Sequence, residues 1–222
     1  MAQTPACTQM IIFKHKPGTN IKDAASKDGK TWAEVVAWLK SKPTVRRLYW
    51  GRHLENENTI YLHIVREGLY QHYDFIASPD YAELKRRLQD IIQGDLIVRH
   101  ADLIEYTQPC GSLGRGAPFT GTAIYKVTDK AWDHAWNLWA TIVPGVKGCR
   151  GVAGGYIVEP VDGHQRCFIA LVGWQTTEEH HAYHETRHWK NRASILTHGQ
   201  KGFSEYGHIV FENENETHGP RL

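Results

Sequence analysis

The sequence has no long apolar run, no excess of either charge and no paired cysteines, and each lack argues against a class of protein. No window approaches the ~18–20 consecutive apolar residues that span a bilayer, and the opening MAQTPACTQMIIFKHKPG lacks the basic segment and apolar stretch of a secretory leader. A soluble cytoplasmic protein without a membrane partner is expected. Lys and Arg number 26 against 24 Asp and Glu, for a formal charge of +2, and they are scattered rather than gathered into a stripe that could neutralise phosphates. Nucleic acid is therefore not an expected partner. Cys7, Cys110, Cys149 and Cys167 lie far apart with no CxxC spacing, which argues against zinc ribbons and thioredoxin-type chemistry and for reduced thiols. Cys167 falls in an apolar strand and reads as packing. There is also no GxGxxG opening a βαβ unit, no P-loop and no HExxH, so dinucleotide redox, nucleotide hydrolysis and zincin chemistry have no support.

What the chain does have is a repeat. Its 222 residues, 41% apolar with eight Trp, can bury one good-sized core or two of roughly 100 residues each. Gly, Pro and small residues interrupt the periodic segments at QPCGSLGRGAPFTG, which reads as a linker and divides the chain into 1–107, a linker 108–120, and 121–222 with a short polar tail. The same elements recur on either side. A first strand, IIFKH from Ile11 or AIYKV from Ala123, leads to a helix whose buried stripe is Trp32, Val35, Val36 and Leu39 or Trp132, Ala135, Trp136 and Trp139. Second strands start at Leu48 and Val152, polar turns follow at ENEN and PVDGHQ, and third strands are TIYLHIV from Thr59 and RCFIALVGW from Arg166. A second helix places Tyr81, Leu84 and Leu88 opposite Trp189, Arg192 and Leu196, with Gly94 and Gly202 closing it, and last strands start at His100 and His208.

Each half is thus β-α-β-β-α-β, the ferredoxin-like arrangement, whose sheet carries helices on one face only. The other half is the natural cover for the bare face. The expected fold is α+β, with two ferredoxin-like repeats packed sheet to sheet as an intramolecular barrel, a monomer by this pseudo-dimer or a homodimer of it. The duplicated order, together with VGWQTTEEHHAYHETRHW, resembles the dimeric α+β barrel superfamily and in particular its antibiotic-biosynthesis-monooxygenase-like branch. The resemblance covers nearly the whole chain in two copies and is a fold signature, in which Trp174 is a fold residue. It implies small hydrophobic or aromatic substrates and activities such as cofactor-free oxygenation, polyketide cyclisation or haem degradation, or a stress-response role with no known reaction. Relatives that degrade haem combine an Asn on the first strand with a later Trp and His on the second helix. The first strands here, IIFKH and AIYKV, have no such Asn.

The histidine-rich HHAYHETRHWK raises a metal question, because His180, His184 and His188 stand at i, i+4 and i+8. Aligned with Tyr70–Tyr81, which contains Ser78 and Pro79, this segment should break at Glu185 and Thr186, placing His188 on a different helix. No metal and no cofactor is expected, and the stretch reads as mostly a solvated face. Parity on the third strand points elsewhere. Ile60, Leu62 and Ile64 suit the helix side, leaving Tyr61, His63 and Val65 on the opposite face, with Phe168, Ala170 and Val172 as their counterparts in the second half. His63 is the expected general base, and Tyr61 and Arg52 the groups that stabilise an enolate or phenolate. Tyr49, Trp50, His15, Phe168, Tyr125 and His208 complete the expected substrate-binding set. The function expected is a cofactor-independent enzyme of secondary metabolism that abstracts a proton from a hydrophobic aromatic or polyketide-like molecule, as a cyclase, dehydratase, isomerase or monooxygenase does. The alternative is a non-catalytic ligand-binding or stress-response barrel.

Overall fold

The computed structural model describes residues 6–212, in two compact units that meet in sequence at His100 and Ala101. In the first, β1 (Cys7–His15), α1 (Lys27–Lys40), β2 (Arg47–His53), β3 (Thr59–Arg66), α2 (Leu69–Ala77), α3 (Pro79–Leu88) and β4 (Ile92–Asp102) follow one another. The strand order β4-β1-β3-β2 is that of a ferredoxin-like sheet. Ser26 starts α1 by accepting a hydrogen bond from the Gly29 amide at 2.9 Å, and its predicted stripe, Trp32, Val35, Val36 and Leu39, is buried. The stripe packs in one cluster with Ile11 and Phe13 of β1 and Ile60, Leu62 and Ile64 of β3. Extended Ser78 followed by Pro79 separates α2 from α3, since the proline ring disfavours a helical residue before it.

The second unit adds a short strand, β5 (Ile104–Glu105), before the same series: β6 (Phe119–Tyr125), α4 (Lys130–Ile142), β7 (Cys149–Tyr156), β8 (Phe168–Trp174), α5 (Thr177–Glu185), α6 (Arg187–Arg192) and β9 (Phe203–Glu212). Its strand order is β9-β6-β8-β7-β5. Asp129 caps α4 through the amides of Ala131 (2.8 Å) and Trp132 (3.3 Å), and Trp132, Trp136 and Trp139 are buried along one face. Gly199 locks this helix start. It sits at φ +68°, its carbonyl accepts from the Asp129 amide at 3.0 Å, and a Cβ there would collide with the Trp132 amide nitrogen. The predicted break falls at Thr186, which is extended and caps α6 by accepting from the Trp189 amide at 3.1 Å.

Four expectations need correction. The segment 108–120 is packed rather than linking: Cys110, Ser112 and Leu113 are buried, and the Thr120 hydroxyl donates to the Ser112 carbonyl at 2.9 Å. The last strand of the first half starts at Ile92, and Gly94, at φ +76°, lies inside it rather than after a helix. The second long helix of the second half is short, with a 3-10 turn over Ala193–Thr197 in place of its end. Finally, Phe168, Ala170 and Val172 face the helices, not the other side: Ala170 pairs with Ala123, and Phe168 lies 5.6 and 5.2 Å from the Trp132 and Trp136 rings. The two third strands align one residue out of step. β8 is apolar on both faces, so its sequence carries no polar marker to fix which side is which.

This shift makes the two units different inside. In the first, the sheet opposes its helices with the large buried side chains of Ile60, Leu62 and Ile64. In the second, the same face carries Gly121, Ala123, Ala170 and Val172 beneath the tryptophans of α4. Side chains that small leave room.

Candidate functional site

Of the sequence-predicted catalytic set, the structure brings together only part. His63 is 1% exposed, its Nδ1 lies 3.0 Å from the Tyr49 hydroxyl, and the Tyr61 ring stands edge-on 6.3 Å away. Burial, and then the Arg47 guanidinium, lower its pKa to about 3. Arg52 and Trp50 are not on this face. Trp50 pairs with Leu62 and Arg52 with Ile60, and strand alternation turns both toward the helices, where Trp50 meets Trp32 edge-on at 5.1 Å. His15 shares the face of Ile11 and Phe13, at the end of β1, and its ring nitrogens sit 2.9 Å from the Lys16 carbonyl and 3.3 Å from that of Glu57, closing the turn after β2. Phe168 packs on tryptophans as described above. Tyr125 and His208 belong to the second unit.

The second unit holds a cavity of about 470 Å³ between its sheet and its helices. Gly121, Ala123 and Tyr125 of β6 and Ala170, Val172 and Trp174 of β8 form the floor. Trp136 and Trp139 of α4, Tyr183 of α5 and Trp189 of α6 form the opposite wall. Phe203 and Tyr206 line it while each remains more than half exposed, so they mark the mouth. Among its polar lining groups, Thr122, Thr197 and Gln200 come from other segments, while His180 and His184 stand together on α5 with their rings 4.6 Å apart. His184 is half-buried against Trp189 at 4.2 Å, and burial first, then the neighbouring His181 and His208, hold its pKa below the usual imidazole value. Burial pushes the Tyr183 phenol up to about 12, and its hydroxyl lies 3.1 Å from His188 Nδ1. Apolar walls with a few converging polar groups are the general form of a small-molecule site.

Behind the cavity end lies a feature that sequence reading missed. His208 of β9 pairs with Gly121, and its Nε2 is 2.9 Å from Nδ1 of His180. Exposed His181 completes a trio whose three ligand-type nitrogens lie within 4.8 Å of one another. The i, i+4, i+8 spacing could not reveal this, because the third imidazole arrives from a strand 28 residues beyond His180. The cavity-lining tryptophans were read as core for the same stripe that makes them wall. The signal that could have exposed them was the run of small residues, Gly121, Ala123 and Ala170, opposite three tryptophans.

No protein-family model and no curated protein sequence matches the chain. Solved structures do resemble it over its whole length. An anthrone oxidase-like protein superposes with a TM-score of 0.63 at 12% identity, covering 98% of this chain and 97% of its own. A monooxygenase-like protein of Fusobacterium nucleatum gives 0.60 at 10% identity with full coverage of both chains. Chlorite dismutase of Candidatus Nitrospira defluvii gives 0.52 at 11% identity, over 94% and 92%. The likeness is one of fold: like these proteins, the chain carries two ferredoxin-like repeats in tandem. Among the described residues no helix is long and apolar enough to cross a membrane.

Proposed function

We propose that the second repeat is the functional half of an enzyme that binds a planar, hydrophobic aromatic or polyketide-like molecule in its cavity and removes an acidic proton from it without an organic cofactor. The observation that carries this reading is the 470 Å³ tryptophan-walled space with imidazoles confined to one end. Flat apolar walls select a fused-ring substrate by burial and ring stacking. His184, which lines the cavity and rests on Trp189, takes the proton. The enolate or phenolate left behind is the common precursor of cyclisation, dehydration and reaction with dioxygen. For an anthrone, loss of the ring-methylene proton followed by reaction with one dioxygen gives the anthraquinone and one water. The anthrone oxidase-like neighbour makes this compound class the first to test.

Proton transfer is assigned to His184 rather than His63. A base with a conjugate acid near pKa 3, and with 1% of its surface accessible, is too weak and too enclosed to meet a substrate near neutral pH.

Anthrone and a hydroxyanthraquinone should quench the tryptophan fluorescence of the full chain, and Ala170→Trp, which fills the floor, should abolish that quenching. Under air the wild type should convert anthrone to anthraquinone, and His184→Ala should lose roughly 10²–10⁴-fold in rate while still binding the quinone. Binding without turnover would favour the non-catalytic ligand-binding alternative. Binding that persists in Ala170→Trp would remove the cavity from the account.

A further inference from the structure

The imidazole trio behind the cavity is more than a polar edge. We propose that His180, His181 and His208 form a binding site for a divalent first-row transition ion of the zinc, cobalt, nickel or copper type. The site departs from the sequence-based expectation of no metal, which weighed His180, His184 and His188.

The closest pair carries the geometry. His180 Nδ1 and His208 Nε2 face each other at 2.9 Å, one from a helix and one from a strand, and both rings are buried. As a hydrogen bond, this contact requires one proton shared between two imidazoles. Two imidazole nitrogens bound to one ion at about 2.0–2.1 Å, with an angle of about 90–110° between them, also lie about 2.9–3.4 Å apart. The pair is therefore spaced for an ion in place of the shared proton. His181 supplies the third nitrogen, within 4.8 Å of the others. Its ring centroid is 5.9 Å from that of His208, and it is exposed, so its side chain can close the remaining gap without disturbing the core.

The donor set indicates the ion. Three neutral imidazoles and no carboxylate suit borderline ions and not magnesium or calcium, which take oxygen ligands. Three protein ligands leave a fourth position for water or a ligand, the pattern of sites that do chemistry rather than of closed structural ones. His180 belongs to both the trio and the cavity wall, so a bound ion lies at the cavity edge. It could polarise an oxygen of a bound molecule there, though the site itself stands independently of any substrate.

The test uses untagged full-length protein stripped with a chelator, with no substrate present. Titration with cobalt(II) alone should develop visible d–d bands that saturate at one ion per chain, and zinc(II) should displace it. His181→Ala removes an exposed side chain, so it should fold as the wild type and weaken cobalt binding at least tenfold. His208→Ala should abolish the d–d bands, with circular dichroism confirming its fold, while His188→Ala should bind as the wild type. No saturable band, or binding of unchanged strength in both His181→Ala and His208→Ala, would overturn the site. Neither result touches the aromatic cavity, whose occupancy is read separately by tryptophan quenching.

Discussion

At the scale of single residues, His63 and His184 show how one side chain takes opposite roles through its surroundings. His63 is enclosed beside Tyr49 and the Arg47 cation, so protonating it in the folded chain is unfavourable. Its folded pKa of about 3 lies below the unfolded 6.5, so the unfolded chain binds the extra proton between these values. Its contribution to stability is complete above pH 6.5 and is lost progressively as pH falls toward 3. His63→Gln keeps a polar partner for the Tyr49 hydroxyl and cannot titrate. Denaturant midpoints of the wild type should drop between pH 6.5 and 5, and those of the variant should drop less steeply there, His184 still contributing. Equal slopes would show that His63 is not what makes the fold acid-sensitive. The sequence placed His63 correctly on the face away from the helices, because Ile60, Leu62 and Ile64 marked the other side. It misplaced Arg52 and Trp50, since an aromatic and a long cation give no clear sign of which way they point on a strand.

Elements were legible where their pattern had one solution. The tryptophan and aliphatic stripes of α1 and α4 follow the helical period, and the break between α5 and α6 could be read from Ser78 and Pro79 in the other repeat. That break shapes the site, because it lets α6 turn Trp189 into the cavity wall beside His184. The Thr186 hydroxyl holds it through two hydrogen bonds, accepting from the Trp189 amide at 3.1 Å and donating to the Tyr183 carbonyl at 2.6 Å. Thr186→Ala should therefore cost about 1 kcal/mol in denaturant unfolding and weaken aromatic binding several-fold. A variant as stable and as tight-binding as the wild type would mean that α6 does not depend on its cap. Gly199→Ala, at φ +68° and with its Cβ colliding with the start of α4, should cost more in denaturant unfolding than the roughly 1–3 kcal/mol of backbone strain alone. The orientation of β8 was not legible, because Phe168 to Val172 is apolar throughout and a one-residue slip exchanges its faces.

Across the whole chain, the two repeats keep one topology and diverge in what fills it. The first places Ile60, Leu62 and Ile64 in a buried core, and the second leaves Gly121, Ala123 and Ala170 as the floor of a cavity. Stability and ligand binding should therefore separate between them. Leu62→Ala opens a hole in a buried core and should cost about 2–5 kcal/mol while leaving quinone affinity unchanged. Ala170→Trp should do the reverse to binding. A loss of affinity in Leu62→Ala equal to that in Ala170→Trp would mean that the halves do not divide the work. The central claim is that the second repeat holds the aromatic ligand, and a crystal structure of the full chain with a hydroxyanthraquinone tests it most directly. The account predicts the ring system between β6 and β8 on one side and Trp136, Trp139 and Trp189 on the other, with its polar edge at His180 and His184. Density for the quinone beside His63 and Tyr49, with the tryptophan cavity empty, would contradict it.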